Sequence, residues 1–241
     1  MYDAAALSAL EWWRLAGVDM IVDEAPRNWL RPTPSVPAGS SSAPAAAPSA
    51  VPAPAAAPES LPATLDTFRQ WLAGAPGLPG DASSRILPVG NPASGLMLLG
   101  DMPESDDVRA GQLFSGDLGR LFDRMLAAIG RDRASIYLAA LAPGRPAGGR
   151  IDPAMLDRLT RIARHHVALA APRRLLLLGP RPVRALLGLE MAEARGRLHE
   201  ITLNGVATTA VATFDPQMLY RQPALKAGAW ADLRLLLGTA R

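Results

Sequence analysis

The hydrophobic and polar positions follow two different patterns along the chain, and the pattern changes near residue 62. Beyond that point four short apolar runs predict β-strands, at 96–100, 135–141, 174–179 and 206–214. The first three runs are nearly uninterrupted, which is typical of parallel strands that are buried on both faces.

Between and after these strands, the apolar spacing predicts helices at 116–129, 153–170, 180–187 and 223–237. Alternating strands and helices favour right-handed crossovers and a parallel sheet covered by helices. The sequence therefore predicts an α/β fold, a three-layer α/β/α sandwich around a central, mainly parallel, four-stranded sheet.

The N-terminal quarter is organised differently. Residues 4–17 have the apolar spacing of a short amphipathic helix, and we assign residues 1–31 to an N-terminal helical segment. Nine of the 31 residues from 32 to 62 are proline, and alanine and serine dominate the others. This composition favours an extended, disordered linker, so the folded domain is expected to cover residues 63–241. The N-terminal segment is a candidate tether for a partner protein.

Composition excludes several kinds of chemistry. The chain has no cysteine, which excludes disulfides, thiolate metal sites and a cysteine nucleophile. Its three histidines are His165, His166 and His199, too few for a His-rich zinc site. No apolar run reaches the length of a membrane span, and acidic residues occupy the start where a signal peptide is basic. We expect a cytoplasmic protein, associated with the nucleoid if it is bacterial.

Charge is distributed unevenly. Residues 1–60 contain six acidic side chains and three arginines, whereas residues 61–241 contain 22 basic and 16 acidic ones. The basic part is compatible with a polyanionic partner. The alternative is an ordinary surface on which codon usage has replaced lysine with arginine.

The loops that follow the strands are the places to look for chemistry, because ligands of such sheets bind beyond the carboxyl ends of the strands. These loops read GDMPESDD, APGRPAGGR, GPRP and FDPQMLYRQP. None is a phosphate-binding glycine loop, which disfavours a nucleotide-binding enzyme. Asp101, Glu104, Asp106 and Asp107 could bind magnesium, but such a run is more often a solvated acidic loop.

Six segments, in this order, resemble the uracil-DNA glycosylase superfamily, most closely its family 4 type. The resemblance covers about residues 61–241. The segments are GDMPE (100–104), GQLFSGDLGRLFDRMLAAIG (111–130), IYLAALAPGRPAGGR (136–150), PRRLLLLGPRPVRALLG (172–188), RGRLHE (195–200) and TFDPQMLYRQPALKAGAWADLRLL (213–236).

The resemblance implies roles for individual residues. It makes Asp101 and Asp215 the catalytic candidates. A base pocket and a DNA-contacting surface follow in the same way. The base-pocket candidates are Gly100, Met102, Pro103, Phe114 and Ala140, and the DNA-binding candidates are Arg145, Arg150, Pro216, Met218, Leu219, Tyr220 and Arg221. Core packing is the alternative for Phe114, and solvated loops are the alternative for Arg145 and Arg150.

The chain also departs from the family pattern. Family 4 proteins bind an iron–sulfur cluster through four cysteines, whose positions here fall at Gly144, near Leu159 and within 73–81. We therefore expect neither this cluster nor any other metal or cofactor. Ala140 stands where the family has its uracil-reading asparagine, Asp215 replaces a histidine, and Asp101 is one methylene shorter than the acid of the family's GEAPG segment.

These departures lead to two functional hypotheses. The first is a uracil-DNA glycosylase-like protein of base-excision repair with weak or degenerate activity. It would hydrolyse the N-glycosidic bond of a flipped-out uracil in single- or double-stranded DNA. The resemblance implies a hydrogen-bond donor at position 215 that stabilises the negative charge of the departing base. An ionised Asp215 has the wrong charge for this, unless burial raises its pKa enough to keep it protonated. The alternative is a catalytically inactive DNA-binding or interaction protein on the same fold. In either case we expect a monomer.

Overall fold

The structure, a computed structural model, describes residues 60–238. The predicted N-terminal helix and the predicted linker up to residue 59 lie outside the described residues. The domain boundary at residue 63 therefore remains a prediction.

One mixed sheet of six strands organises the described part of the chain. The strands are β1 (Val89–Gly90), β2 (Leu96–Gly100), β3 (Tyr137–Ala140), β4 (Arg174–Leu178), β5 (Leu198–Leu203) and β6 (Val206–Thr213), in the order β1-β3-β2-β4-β6-β5. The inner four strands, β3, β2, β4 and β6, are parallel. The predicted parallel core of four strands is thus confirmed.

Two antiparallel edge strands enlarge the predicted sheet from four strands to six. β1 pairs with β3 over only two residues, and β5 forms a hairpin with β6. β5 alternates between exposed and partly buried residues, as a strand at a sheet edge does. The uninterrupted apolar run that marks a central strand is therefore absent from it.

Helices cover both faces of the sheet. They are α1 (Leu65–Gly74), α2 (Ser105–Ala110), α3 (Gly116–Ala128), α4 (Pro153–Ala170), α5 (Pro180–Leu187), α6 (Met191–Ala194), α7 (Pro216–Arg221) and α8 (Lys226–Leu237). Helices α1, α4 and α5 pack with Met97 and Leu99 of β2. Helices α3 and α8 pack with Leu96 and Leu98 on the opposite face, because successive side chains of a strand point to opposite sides. The three-layer α/β/α sandwich is confirmed.

Helix ends follow from local sequence. Asp152 caps the start of α4 by accepting a hydrogen bond from the Met155 N–H at 2.9 Å, and Pro153 occupies the first turn, where no N–H is needed. The last helix begins later than predicted, at Lys226 instead of residue 223. Pro223–Leu225 forms a 3₁₀ turn first, in which the Leu225 N–H bonds to the Gln222 carbonyl at 3.0 Å.

Between residues 60 and 238 no helix combines the length and the apolar character needed to cross a membrane.

Candidate functional site

A cavity of about 380 Å³ lies at the carboxyl edge of the four parallel strands. The loops that follow β2, β3, β4 and β6 all contribute to its lining. Seven of the catalytic, base-pocket and DNA-binding candidates line it, namely Asp101, Met102, Phe114, Arg145, Asp215, Met218 and Arg221. The structure therefore brings candidates from four distant segments into one place.

Asp101 lies directly after β2, and its position is fixed by the backbone. The Ala142 N–H donates to the Asp101 carbonyl at 2.9 Å, which continues the pairing of β2 with β3. Asp101 Oδ2 accepts a hydrogen bond from Arg181 Nη1 at 2.5 Å, whereas Oδ1 is buried and has no partner among the described residues. Burial raises the pKa of Asp101, and the Arg181 guanidinium opposes this shift.

Arg181 is a site residue that the sequence reasoning missed. It occupies the first turn of α5, which begins immediately after β4 and Gly179. Its side chain lines the cavity and is paired with Asp101. The available signal was a cation in the GPRP loop, at the edge of the sheet where ligands bind.

Asp215 follows β6 and is the N-cap of α7. Its Oδ1 accepts a hydrogen bond from the Gln217 N–H at 2.7 Å. Burial raises the pKa of Asp215 to about 6; the Asp101 and Glu104 carboxylates add to the shift, and the bond from Gln217 opposes it. We call Asp101, Arg181 and Asp215 together the carboxylate wall of the cavity.

Phe114 also lines the cavity, from the loop before α3. Its side chain is only 7 % exposed and packs on the Phe122 ring, with 4.6 Å between ring centroids. A Cβ at Gly100 would come within 3.1 Å of Phe114 Cζ, so the ring lies against the end of β2. Phe114 packs on the core and also lines the cavity, and its role in binding a base stays a prediction.

A hydrogen-bonded scaffold holds Phe114 in place. Phe114 has a positive φ of 54°, which is strained for a residue other than glycine. Arg133 donates to the carbonyls of Phe114 at 2.7 Å and Leu113 at 2.8 Å. Asp107 is 2 % exposed and accepts from the N–H groups of Ser115 at 2.7 Å and Glu104 at 3.0 Å. We call Phe114 with Asp107 and Arg133 the aromatic wall.

Comparison with known proteins identifies the family. A family model described as the Uracil DNA glycosylase superfamily matches residues 87–234, more than half of the chain. The chain belongs to this superfamily. The resemblance noted in the sequence is thereby confirmed, and the matched region contains both walls of the cavity.

Two curated relatives are similar to this chain at low identity. A type-4 uracil-DNA glycosylase from Pyrobaculum aerophilum is 24 % identical over 151 residues, which is 60 % of this chain and 77 % of that protein. A type-4 uracil-DNA glycosylase from Archaeoglobus fulgidus is 22 % identical over 153 residues, 61 % of this chain and 77 % of that protein.

Ala140, a base-pocket candidate, stands where the resemblance implies an asparagine. It is the last residue of β3, paired in register with Gly100 of β2, and it is partly buried. Its methyl group offers neither the donor nor the acceptor of the asparagine that the resemblance implies there. Gly100, Pro103 and Ala140 form the adjoining backbone and are not in contact with the cavity itself.

The residues at the cluster positions do not fit an iron–sulfur cluster, because none can supply a thiolate. Leu159 is fully buried among the core side chains between α4 and the sheet. Gly144 packs against residues 79–80, where a Cβ on Gly144 would approach the Pro79 carbonyl oxygen to 2.4 Å. These positions therefore hold tightly packed protein.

The two loop arginines differ in place. Arg145 lines the cavity, with Nη1 at 3.0 Å from Glu104 Oε2 and 3.4 Å from the Pro103 carbonyl oxygen. Arg150 is exposed and lies outside the cavity.

The DNA-binding candidates in helix α7 lie in three different environments. Met218 and Arg221 line the cavity, and Tyr220 is 54 % exposed, with its hydroxyl donating to Asp117 Oδ2 at 3.3 Å. Pro216 is buried, and Leu219 is only 1 % exposed. The predicted apolar tip is therefore smaller than expected, because the Leu219 side chain faces the interior and is not available for contact with a ligand.

Among the described residues, no group of three or more histidine, aspartate or glutamate side chains is arranged to hold a metal ion. Of the four acidic residues considered for magnesium, Asp107 accepts backbone N–H bonds and Asp101 is paired with Arg181. Asp106 is exposed and paired with Arg109.

Proposed function

We propose that this protein is a DNA glycosylase that hydrolyses the N-glycosidic bond of a uracil flipped out of DNA, with low activity at neutral pH. The observation that carries the proposal is that the Asp101 carboxylate and the Phe114 ring line one cavity of about 380 Å³. A flipped base needs such a pocket, with a face to stack on and polar groups beside the sugar. The names of the two type-4 relatives support uracil as the substrate.

The reaction breaks the bond between C1′ of the sugar and N1 of uracil, and water supplies the new oxygen at C1′. Positive charge develops on the sugar, and the base departs with the electron pair of the broken bond. Asp101 would stabilise the sugar cation and orient the water, as a carboxylate does in glycoside hydrolysis generally. The water loses a proton during the attack, and the departing base gains one.

Low activity follows from the charge of Asp215, which stands where the resemblance implies a donor. The departing uracil is an anion and needs a donor or a cation nearby. Asp215 has a pKa of about 6, so at neutral pH it is mostly ionised and repels that anion. Its own side chain accepts from the Gln217 N–H. The loss of one well-placed donor typically lowers a rate by about 10²–10³-fold.

Incubation with uracil-containing DNA tests this proposal. Single- and double-stranded oligonucleotides with one uracil would be incubated with excess full-length protein at pH 6 and pH 7.5, and abasic sites would be detected by alkaline cleavage. We expect slow, single-turnover product formation that is faster at pH 6. A matched oligonucleotide with thymine in place of uracil is the control. The absence of abasic sites at both pH values would refute a glycosylase.

A second candidate function is DNA binding without catalysis, favoured by the alanine at position 140 and the carboxylate at position 215. Arg221 is exposed and lines the cavity, and Arg145 is only partly exposed there. Phosphate contacts through such arginines position a protein without reading sequence. In this case the protein binds DNA and produces no abasic sites.

Salt dependence tests the DNA contact in both candidates. Replacing Arg221 with alanine should reduce the slope of log Kd against log salt by about 1. Arg131→Ala, in an exposed loop outside the cavity, is the matched control and should leave the slope unchanged. Equal slopes for wild type and Arg221→Ala would exclude a phosphate contact by Arg221.

A further inference from the structure

Arg85, which lies before β1 and outside the cavity lining, contacts an unusually large number of backbone carbonyls. Its guanidinium donates to four backbone carbonyls at the end of α1 and in the loop that follows. Nη1 contacts the carbonyl oxygens of Ala75 at 2.8 Å, Ala73 at 3.1 Å and Leu72 at 3.3 Å, and Nη2 contacts that of Leu78 at 3.1 Å. One side chain therefore binds four carbonyls between residues 72 and 78.

These contacts lie where three segments of the chain converge. The loop that Arg85 binds, residues 72–80, ends at Gly80, where a Cβ would lie 2.9 Å from the Gly144 Cα. From α4, Arg158 donates to the Pro76 carbonyl at 3.0 Å. The segment 73–81, Gly144 and the start of α4 near Leu159 are the positions that the resemblance assigns to four cluster cysteines. The chain thus brings these segments together without any thiolate.

The same contacts lead to the cavity. The Ile86 N–H, next to Arg85, donates to the Pro143 carbonyl at 2.8 Å. Gly144 follows Pro143 and packs on residues 79–80, and Arg145 follows Gly144 and lines the cavity beside Glu104. The backbone that precedes Arg145 is therefore contacted at two points, by the hydrogen bond from Ile86 to Pro143 and by the 72–80 loop at Gly144.

We propose that Arg85 is a positioning residue that holds the 72–80 loop against Gly144 and thereby fixes Arg145 at the cavity. Its hydrogen bonds would hold these segments together, as a metal cluster coordinated by the same segments would. The part of the proposal that concerns DNA rests on the proposed function, whereas the part that concerns the loop does not.

Arginine suits this role better than lysine. Its planar guanidinium has five N–H donors in a fixed geometry, whereas an ammonium has three donors at one point. Buried carbonyls that lose their donors are costly. Burial and the neighbouring Arg158 lower the pKa of Arg85, but an arginine stays charged over the whole physiological range.

The first test is Arg85→Lys in the full-length chain, with Arg161→Lys on the exposed face of α4 as the matched control. We expect Arg85→Lys to lower the melting temperature by about 5 °C or more, because several charge-assisted hydrogen bonds are lost. Amide exchange at residues 144–150 should accelerate at a temperature well below melting. The control should change neither quantity. An unchanged melting temperature, or unchanged exchange at 144–150, would overturn the proposal.

A double-mutant cycle tests the link to DNA. Arg85→Lys should weaken DNA binding about three- to tenfold, and should change the Kd less than twofold when Arg145→Ala is already present. Equal effects in both backgrounds would exclude positioning through Arg145. Should wild-type protein bind no DNA, the proposed function fails, whereas the melting and exchange measurements still decide the role of Arg85.

Two further measurements guard against misinterpretation. Gly80→Ala places a Cβ 2.9 Å from the Gly144 Cα, at a residue whose φ of 73° disfavours alanine. It should therefore also accelerate exchange at 144–150, and it tests the contact between the 72–80 loop and Gly144 if Arg85→Lys does not fold. Unchanged exchange in Gly80→Ala would count against the proposal. Purified full-length protein should contain no stoichiometric iron, and finding it would overturn the replacement of a cluster by Arg85.

Discussion

The two walls of the cavity differ in how fully their polar groups are satisfied. On the aromatic wall, Asp107 accepts two backbone N–H bonds and Arg133 donates to two carbonyls, so the strained Phe114 is firmly held. On the carboxylate wall, Asp101 Oδ1 is buried and has no partner within residues 60–238, and burial raises the pKa of Asp215.

This difference indicates which part of the site is built for binding and which part for chemistry. Buried polar atoms without partners are destabilising, and those that persist are concentrated at functional sites. In the aromatic wall, Asp107 and Arg133 hydrogen-bond to the backbone around Phe114, so the wall offers a fixed ring on which a base could stack. On the carboxylate wall, the buried acceptor Asp101 Oδ1 has no partner among residues 60–238, and the carboxyl that carries it lines the cavity.

The largest effect is expected from removing the charge of the carboxylate wall at Asp101. Asp101→Asn should lower the excision rate by about 10²-fold or more, because the neutral amide no longer stabilises the sugar cation or activates water. Single-turnover excision measures the rate, and DNA affinity should remain. The matched control is Asp106→Asn, which removes an exposed carboxylate in the same segment. An Asp101→Asn variant that retains half of the rate would exclude the assigned role.

Restoring the two side chains that the resemblance implies should increase activity. Ala140→Asn with Asp215→His supplies the base-reading amide and the donor that the resemblance implies, and should raise uracil excision by about 10²-fold. Each single variant should give a smaller gain. Because histidine at 215 removes the N-cap of α7, the melting temperature is measured in parallel. A fully folded double variant with parental activity would show that the pocket no longer fits uracil.

The sequence predicted the centre of this fold well because its signals are local. The runs that became β2 and β4 are continuous and apolar, and α4 begins at a capping aspartate followed by proline. The edge strand β5 was missed because half of its residues are exposed. Its place depends on pairing with β6, which no local pattern records.

The candidate site was only partly predictable for the same reason. Asp101 and Asp215 were found because they lie in loops that follow strands, and Phe114 because it lies in a segment that resembles the family. Arg133 was missed because its contact with Phe114 joins residues 19 apart and arises only from the tertiary fold. Conversely, Leu219 belongs to a recognisable motif, but the helical turn of α7 points it into the core.

A moderate effect should come from loosening the aromatic wall. Arg133→Met removes the donors to the Leu113 and Phe114 carbonyls and the ion pair with Asp123. The strain at Phe114 is then less well opposed, so excision should fall about tenfold and the melting temperature should also fall. The control is Arg131→Met, in an exposed neighbouring position. If excision is unchanged while the melting temperature falls, the aromatic wall is only structural.

The smallest effect concerns the charge of Asp215 and its dependence on pH. With a pKa of about 6, the protonated fraction of Asp215 rises about fivefold between pH 7 and pH 6. Wild-type excision should rise by the same factor, because the protonated carboxyl no longer repels the departing base. Asp215→Asn keeps an acceptor for the Gln217 N–H and should lose this dependence. A wild-type rate that falls on acidification from pH 7 to pH 6 would contradict the assignment.

Stability measures the same carboxyl independently of activity. The folded pKa of Asp215 lies above the ordinary value of 3.8, so folding is not penalised below pH 3.8, and the penalty is fully present above pH 6. A rise in the pKa of Asp215 from 3.8 to about 6 corresponds to about 3 kcal/mol of unfolding free energy. Asp215→Asn should therefore stabilise the protein against urea at pH 8 and not at pH 3.5. Asp152→Asn, which changes an exposed capping aspartate of α4, should show no such pH-dependent gain. If both variants gain the same stability at pH 8 relative to pH 3.5, the burial of the Asp215 charge does not explain the gain in Asp215→Asn.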